Sequence, residues 1–216
     1  MRTIDPVALA FALGLFAMLP LLLVTTTSFL KISIVLSLVR NALGVQQAPP
    51  NMAIYALAIL LSAYIMAPIG HRVMQSVAEV KDPTMSVKAL LQVARKSSDP
   101  IRDFLVKNSK PQQRDFFLAT AKKLWPPDLA NDSNKNDLLI VTPAFVVSEL
   151  TAAFEIGFLL FLPFIVIDLV VSNILMAMGM MMVSPVTISL PLKLFLFVMV
   201  DGWSRLIHGL ISTYIH

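Results

Sequence analysis

Residues 159–202 read LLFLPFIVIDLVVSNILMAMGMMMVSPVTISLPLKLFLFVMVDG, and five methionines, Met176, Met178, Met180, Met181 and Met182, crowd its middle. On a helix, three consecutive methionines point about 100° apart, so one buried stripe cannot hold them all. Some must face something other than an ordinary core. Gly179 precedes the run and Ser184-Pro185 follows it; a serine can cap a helix whose first position is a proline. The stretch therefore predicts two apolar helices joined by a break or tight hairpin, with soft thioether side chains gathered at its tip.

Working outward, the whole chain shares this character. It has 57% apolar and 14% charged residues over 216 positions, a membrane-class balance for one domain's length. The net charge of +4 sits in one place: residues 71–142 hold 12 Lys/Arg against 8 Asp/Glu, and the remainder holds 5 against 5. Both signs alternate there without an aromatic-basic stripe, which argues against a nucleic-acid partner. The absence of cysteine excludes disulfide scaffolds, thiolate metal sites and cysteine nucleophiles.

Residues 6–30 form a charge-free run long enough to cross a bilayer, for which about 20 residues suffice, so it reads as a retained anchor rather than a cleaved signal. Pro20 predicts a kink, with Thr25, Thr26, Thr27 and Ser28 supplying hydroxyls to freed backbone groups. Residues 41–51, NALGVQQAPPN, have turn chemistry, and 52–70 is a second charge-free run. Residues 1–70 are thus expected to form a hydrophobic helical hairpin.

The polar insert, 71–142, is expected to be a small helical cap. Thr84 can cap a helix carrying Val87, Leu90, Leu91 and Ala94 on one face. Asp99-Pro100 opens another, Ser109 with Gln112 fits a capping box, and Pro126-Pro127 ends the helix of Phe117, Ala121 and Leu124. Residues 128–137 read as a surface loop. Thr142-Pro143 then begins the second hydrophobic region, 143–216, where single charges cut the apolar runs: Glu149, Glu155, Asp168, Lys193, Asp201 and Arg205. No clean span emerges. The fold class is all-α, built of membrane-associated hairpins with kinked or broken hydrophobic helices and a polar helical insert.

Charges are costly in hydrocarbon and normally face a protein interior or water. Lys31, Glu149, Glu155, Asp168 and Lys193 can therefore be a relay or ion path, or opposite charges that pair between helices or subunits and fix register. Glu149 and Glu155 lie six apart, about 120° out of phase, so they do not form a face-sharing acid/base pair. His71, His208 and His216 have no metal spacing, and no phosphate-cradling glycine loop or serine elbow occurs. An enzyme, for which Ser148 or Ser172 would need a nearby histidine, lacks support. No cofactor is expected.

Residues 25–52 (TTTSFLKISIVLSLVRNALGVQQAPPNM), 143–158 (PAFVVSELTAAFEIGF), 162–194 and 196–203 (LFVMVDGW) closely resemble the SctR/FliP family of type III secretion export-gate proteins. The likeness covers both hydrophobic regions, about two-thirds of the chain, and in the insert only KKLWP matches. It implies a non-enzymatic subunit of the bacterial inner-membrane export apparatus that conducts unfolded proteins. Copies of itself, in a pentameric arrangement, join SctS/FliQ-like and SctT/FliR-like subunits and an SctU/FlhB-like switch protein in a helical, cone-shaped pore. The resemblance also implies a largely periplasmic gate and insert. The 72-residue insert exceeds the loop length, about 60 residues, over which positive charge marks the cytoplasmic side. Met180, Met181 and Met182 match the family's methionine gasket, and the five embedded charges are inferred to be buried assembly contacts. Flagellar members commonly have a longer amino terminus, so the injectisome branch is expected, with the flagellar branch as the alternative. A small ion- or proton-coupled transporter using the embedded charges is the competing class.

Overall fold

A computed structural model describes residues 6–45, 48–78, 87–180 and 182–215, and these residues are helices and connecting turns without a strand. The helices are α1 (Pro6–Thr26), α2 (Phe29–Ala42), α3 (Asn51–Ala78), α4 (Val87–Asn108), α5 (Pro111–Leu124), α6 (Pro127–Asp132), α7 (Leu138–Ala177), α8 (Pro185–Met199) and α9 (Gly202–Ser212). Two compact units result, one from α1 through Leu30 with Ala63–Glu149, the other from Lys31–Ser62 with Leu150 through α9. By length and composition, α3 over Asn51–Ser76 and α7 can each cross a membrane, and up to four segments can if each bent helix pair counts as one.

In the first unit, α1 continues through Pro20 and stops at Thr26. The hydroxyls of Thr25, Thr26 and Thr27 donate to the carbonyls of Leu21, Leu22 and Leu23 at 2.8, 2.6 and 2.5 Å. The Thr27 hydroxyl serves one of the last four carbonyls of the helix, which lack intrahelical donors, those of Thr25 and Thr26 bond carbonyls already in the ladder, and none reaches the carbonyl one turn before Pro20. Helix α4 runs through Asp99-Pro100 without restarting, and Asp99 instead pairs with Arg102 at 2.9 Å. The capping box expected at Ser109 does not form: Lys110 occupies the cap position, Pro111 starts α5, and the Ser109 hydroxyl donates back to Val106 O at 3.2 Å. Helix α5 ends at Leu124, ahead of Pro126-Pro127 as expected, but the expected loop over 128–137 begins with the short helix α6, 127–132, started by Pro127. Thr84 lies outside the described residues.

Phe104 and Phe145 pack at 5.7 Å between ring centroids, both buried. The Lys110 N–H donates to Ser148 Oγ at 2.9 Å, and that hydroxyl donates to Ala144 O at 2.7 Å, clipping the α4–α5 connection to α7. Helix α7 begins at Leu138, four residues before Thr142. Asp137 is the reason: its carbonyl accepts from Ile140 and Val141 N–H at 2.9 and 2.8 Å, while its carboxylate accepts from Asn134 N–H at 2.6 Å.

The second unit is built around α2, where Lys31, Ile32, Val35, Leu36, Val39 and Ala42 are buried at helical spacing. The chain then turns at Gly44, φ +77°, and α3 starts at Asn51. Asn41 and Ala42, expected in the loop, are still helical. Arg40 closes the turn by donating to Pro49 O at 3.3 Å and Asn51 Oδ1 at 2.5 Å. Beside α2, a Cβ added at Gly157 would fall on the end of the Leu38 side chain, so glycine lets α7 approach α2 this closely without displacing Leu38.

Helix α7 is the main departure from expectation. Single charges cut its hydropathy at Glu149, Glu155 and Asp168, yet it is continuous for 40 residues. A charge interrupts a hydrophobic run without interrupting a helix, because glutamate is a good helix former. The break falls at the methionines. Helix α8 starts at Pro185 with Ser184 in the cap position, although the Ser184 side chain makes no cap hydrogen bond.

Candidate functional site: the methionine turn and its supports

The connection between α7 and α8 is shaped by Gly179. Its φ of +73° suits a residue without a Cβ, and two bonds close the helix end around it: Met180 N–H to Leu175 O at 2.9 Å and Gly179 N–H to Met176 O at 3.0 Å. That pairing is the Schellman arrangement, with glycine at its left-handed position. Met178, Met180 and Met182 therefore lie in the connection after α7 and not on a helix, so the 100° fan does not apply to them. Met176, Met178, Met180 and Met182 are all exposed, Met182 completely at 101%. Met181 lies outside the described residues. The expected break with thioethers at its tip is present.

The turn is held from behind by charge. Lys193, 6% exposed on α8, reaches Asp168 on α7, with Nζ to Oδ2 at 2.5 Å. The same ammonium donates to Ala42 O at 3.4 Å. Ala42 ends α2, where backbone carbonyls have no intrahelical donor. One lysine, midway along α8, thus ties the end of α2 to the body of α7. It sets the register of the α7–α8 hairpin below the turn.

Lys31, 4% exposed, is held differently: its ammonium lies 3.7 Å from the centroid of the Tyr214 ring. A desolvated cation over an aromatic face is attracted by the ring quadrupole. Glu149 is buried and Glu155 exposed, both on α7, as their phase difference requires. The structure brings Asp168 and Lys193 together and gives Lys31 an aromatic partner that sequence patterning missed. Aromatic partners to cations carry no spacing signature when 183 positions separate them.

Helices α8 and α9 are bent by 62° at their break. Asp201 takes the left-handed conformation, φ 52°, and Gly202 is buried where any Cβ would strike the Phe197 ring. Phe197 stacks edge-on against Trp203 at 5.4 Å and lies 6.3 Å from Phe164 of α7. This bend opens a groove of about 390 Å³ with walls from α2, α7, α8 and α9. Its lining is apolar apart from Thr213 and Arg205. Sequence reading noted Arg205 only as a charge that cuts an apolar run.

The chain as a whole is similar to known proteins. A model described as the FliP family matches residues 12–210. The chain is 52% identical over 210 residues to the Yop proteins translocation protein R of Yersinia pestis, covering 97% of each chain. It is 45% identical over 213 residues to the virulence protein YscR of Salmonella typhimurium, again 97% of each. With the harpin secretion protein HrcR of Erwinia amylovora it shares 44% over 211 residues, 98% of this chain and 97% of that one.

Proposed function

Because this chain belongs to the FliP family, we propose that it is the pore-forming gate subunit of an injectisome, conducting unfolded protein substrates across the inner membrane. The coarser statement is already secure: it is a component of a type III secretion export apparatus and an inner-membrane protein, and its relatives carry translocation and virulence names. In the proposed assembly, copies of the chain, five by family resemblance, combine with SctS-like and SctT-like subunits and an SctU-like switch protein. The insert, 71–142, and much of the gate lie on the periplasmic side, between the hydrophobic regions 1–70 and 143–216.

The methionine turn carries the reading. A wholly exposed Met182 beside exposed Met180, on a turn fixed by Gly179, leaves apolar side chains that find no core within the chain. Neighbouring copies presenting the same turn would gather Met180, Met181 and Met182 into a collar. Unbranched thioethers pack against one another, hold ions back, and deform around a passing chain without requiring a particular sequence. Lys31, Glu149, Glu155, Asp168 and Lys193 then serve assembly and register. The closed contact of Asp168 with Lys193 favours that role over a transporter's relay, which needs a charge free to change partners.

Replacing Met180, Met181 and Met182 with alanine should raise ion leak through the reconstituted apparatus while leaving its subunit composition unchanged in native mass spectrometry. Wild-type conductance in the triple variant refutes the collar.

A further inference from the structure

We propose that the groove between α7, α8 and α9 is a binding site for one anionic phospholipid, with an acyl chain along its apolar floor and the headgroup phosphate on Arg205. Its volume of about 390 Å³ lies within the roughly 300–1,000 Å³ of sites that take small ligands, and such sites pair an apolar lining with a few placed polar groups. Leu160, Pro163, Phe164, Leu206 and Leu210 supply the apolar part. Arg205 is the one charged side chain among the described lining residues. The nearest acid along the helix, Asp201, accepts from the Ser204 hydroxyl at 3.0 Å, and no ion pair joins it to Arg205 among the described residues.

The complementarity selects the occupant. A guanidinium without an ion pair among the described residues, at the edge of an apolar groove, matches a molecule that is anionic at one end and hydrocarbon at the other. Guanidinium binds phosphate through two parallel donors, and basic pockets between membrane helices take anionic headgroups. A partner helix would fill the hydrocarbon part and leave the charge to chance. The chain is an inner-membrane protein, so phospholipid is available to those of its faces that lie at bilayer depth. This inference does not depend on the methionine collar.

Gly209 allows the two halves of the site to be separated. It lines the groove, and a Cβ there meets nothing within 4 Å, so Gly209→Leu adds its first side-chain carbon in open space and the rest to the groove. The full chain, purified, delipidated and checked for native helicity by circular dichroism, is titrated with phosphatidylglycerol, phosphatidylethanolamine or inorganic phosphate and read by native mass spectrometry. Wild type should load phosphatidylglycerol at about tenfold lower concentration than phosphatidylethanolamine, the scale of a hydrogen bond to a charged group. Arg205→Gln should abolish that preference while keeping lipid adducts, and Arg205→Lys should restore part of it. Gly209→Leu should weaken both lipids together. The proposal is overturned by lipid loading that ignores both substitutions, by phosphate binding as well as phosphatidylglycerol does, or by a photocrosslinker at Leu206 that captures only protein in the assembled apparatus.

Discussion

The Asp168–Lys193 contact should respond asymmetrically to the loss of either partner. The Lys193 side chain is 8% exposed and that of Asp168 is 43% exposed. Asp168→Asn removes the counter-charge and leaves an enclosed ammonium with only neutral acceptors, the new amide oxygen and Ala42 O, 3.4 Å away. Stranding one member of a fully buried pair costs about 3–5 kcal/mol, and an exposed pair is worth at most about 1 kcal/mol. With one partner enclosed and the other half open, Asp168→Asn should cost about 2–3 kcal/mol. Lys193→Met replaces the enclosed charge by an apolar side chain of similar length and leaves Asp168 its own access to solvent, so its cost should stay near 1 kcal/mol. The double variant should be no less stable than Asp168→Asn alone. For a chain of this size, 1 kcal/mol shifts the midpoint of thermal unfolding by about 2–4 °C. Asp168→Asn should therefore melt about 4–12 °C below wild type in detergent, and Lys193→Met about 2–4 °C below. Tryptophan fluorescence at a fixed scan rate, which also controls for irreversible unfolding, gives both values. If Lys193→Met proves as damaging as Asp168→Asn, or the two effects add in the double variant, the ammonium is not the enclosed member and the reasoning fails.

Tyr214→Leu should lower stability by about 1–2 kcal/mol through loss of the ring face beneath Lys31, while Tyr214→Phe, which keeps that face, should stay near wild type; equal losses in the same melting assay would assign the effect to the hydroxyl. Gly157→Ala should cost about 1–3 kcal/mol because the new methyl meets Leu38, and Leu38→Ala in the same chain should recover part of it; simple additivity would remove the close approach of α2 and α7 from the explanation.

The all-α class, the loop ahead of Asn51 and the break at the methionines were legible because each rests on local chemistry. Apolar runs, paired prolines, and Gly179 before Ser184-Pro185 act over a few residues. The helix starts were less legible. Pro100 and Pro143 looked like first-turn prolines, yet α4 and α7 had begun upstream. A proline inside a helix, sixth in α7 and fourteenth in α4, satisfies the sequence rule as well as one at its start, and Asp137, which occupies the cap position of α7, stands in a run of polar residues where many could cap. The charges were half legible: their burial follows from the cost of desolvation, but their partners, Asp168 for Lys193 and Tyr214 for Lys31, depend on which helices meet.

Helix α7 shows why hydropathy could not draw the spans. Forty residues at 1.5 Å each make about 60 Å, twice the roughly 30 Å of a bilayer's hydrocarbon core. A steep tilt cannot hide that difference, so a large part of α7 must end outside lipid although its sequence is apolar nearly throughout. Phe154, Phe158, Leu159, Val166 and Leu169 are all exposed along it. Outside lipid, such a surface is stable only when covered by protein, since contiguous apolar patches on soluble surfaces mark interaction sites. Side chains covered by another subunit and side chains covered by acyl chains have the same composition. The sequence therefore declared that α7 is surrounded and left open by what; its amino-terminal end is covered by the chain's own α4–α5 region, through Phe104 and Lys110.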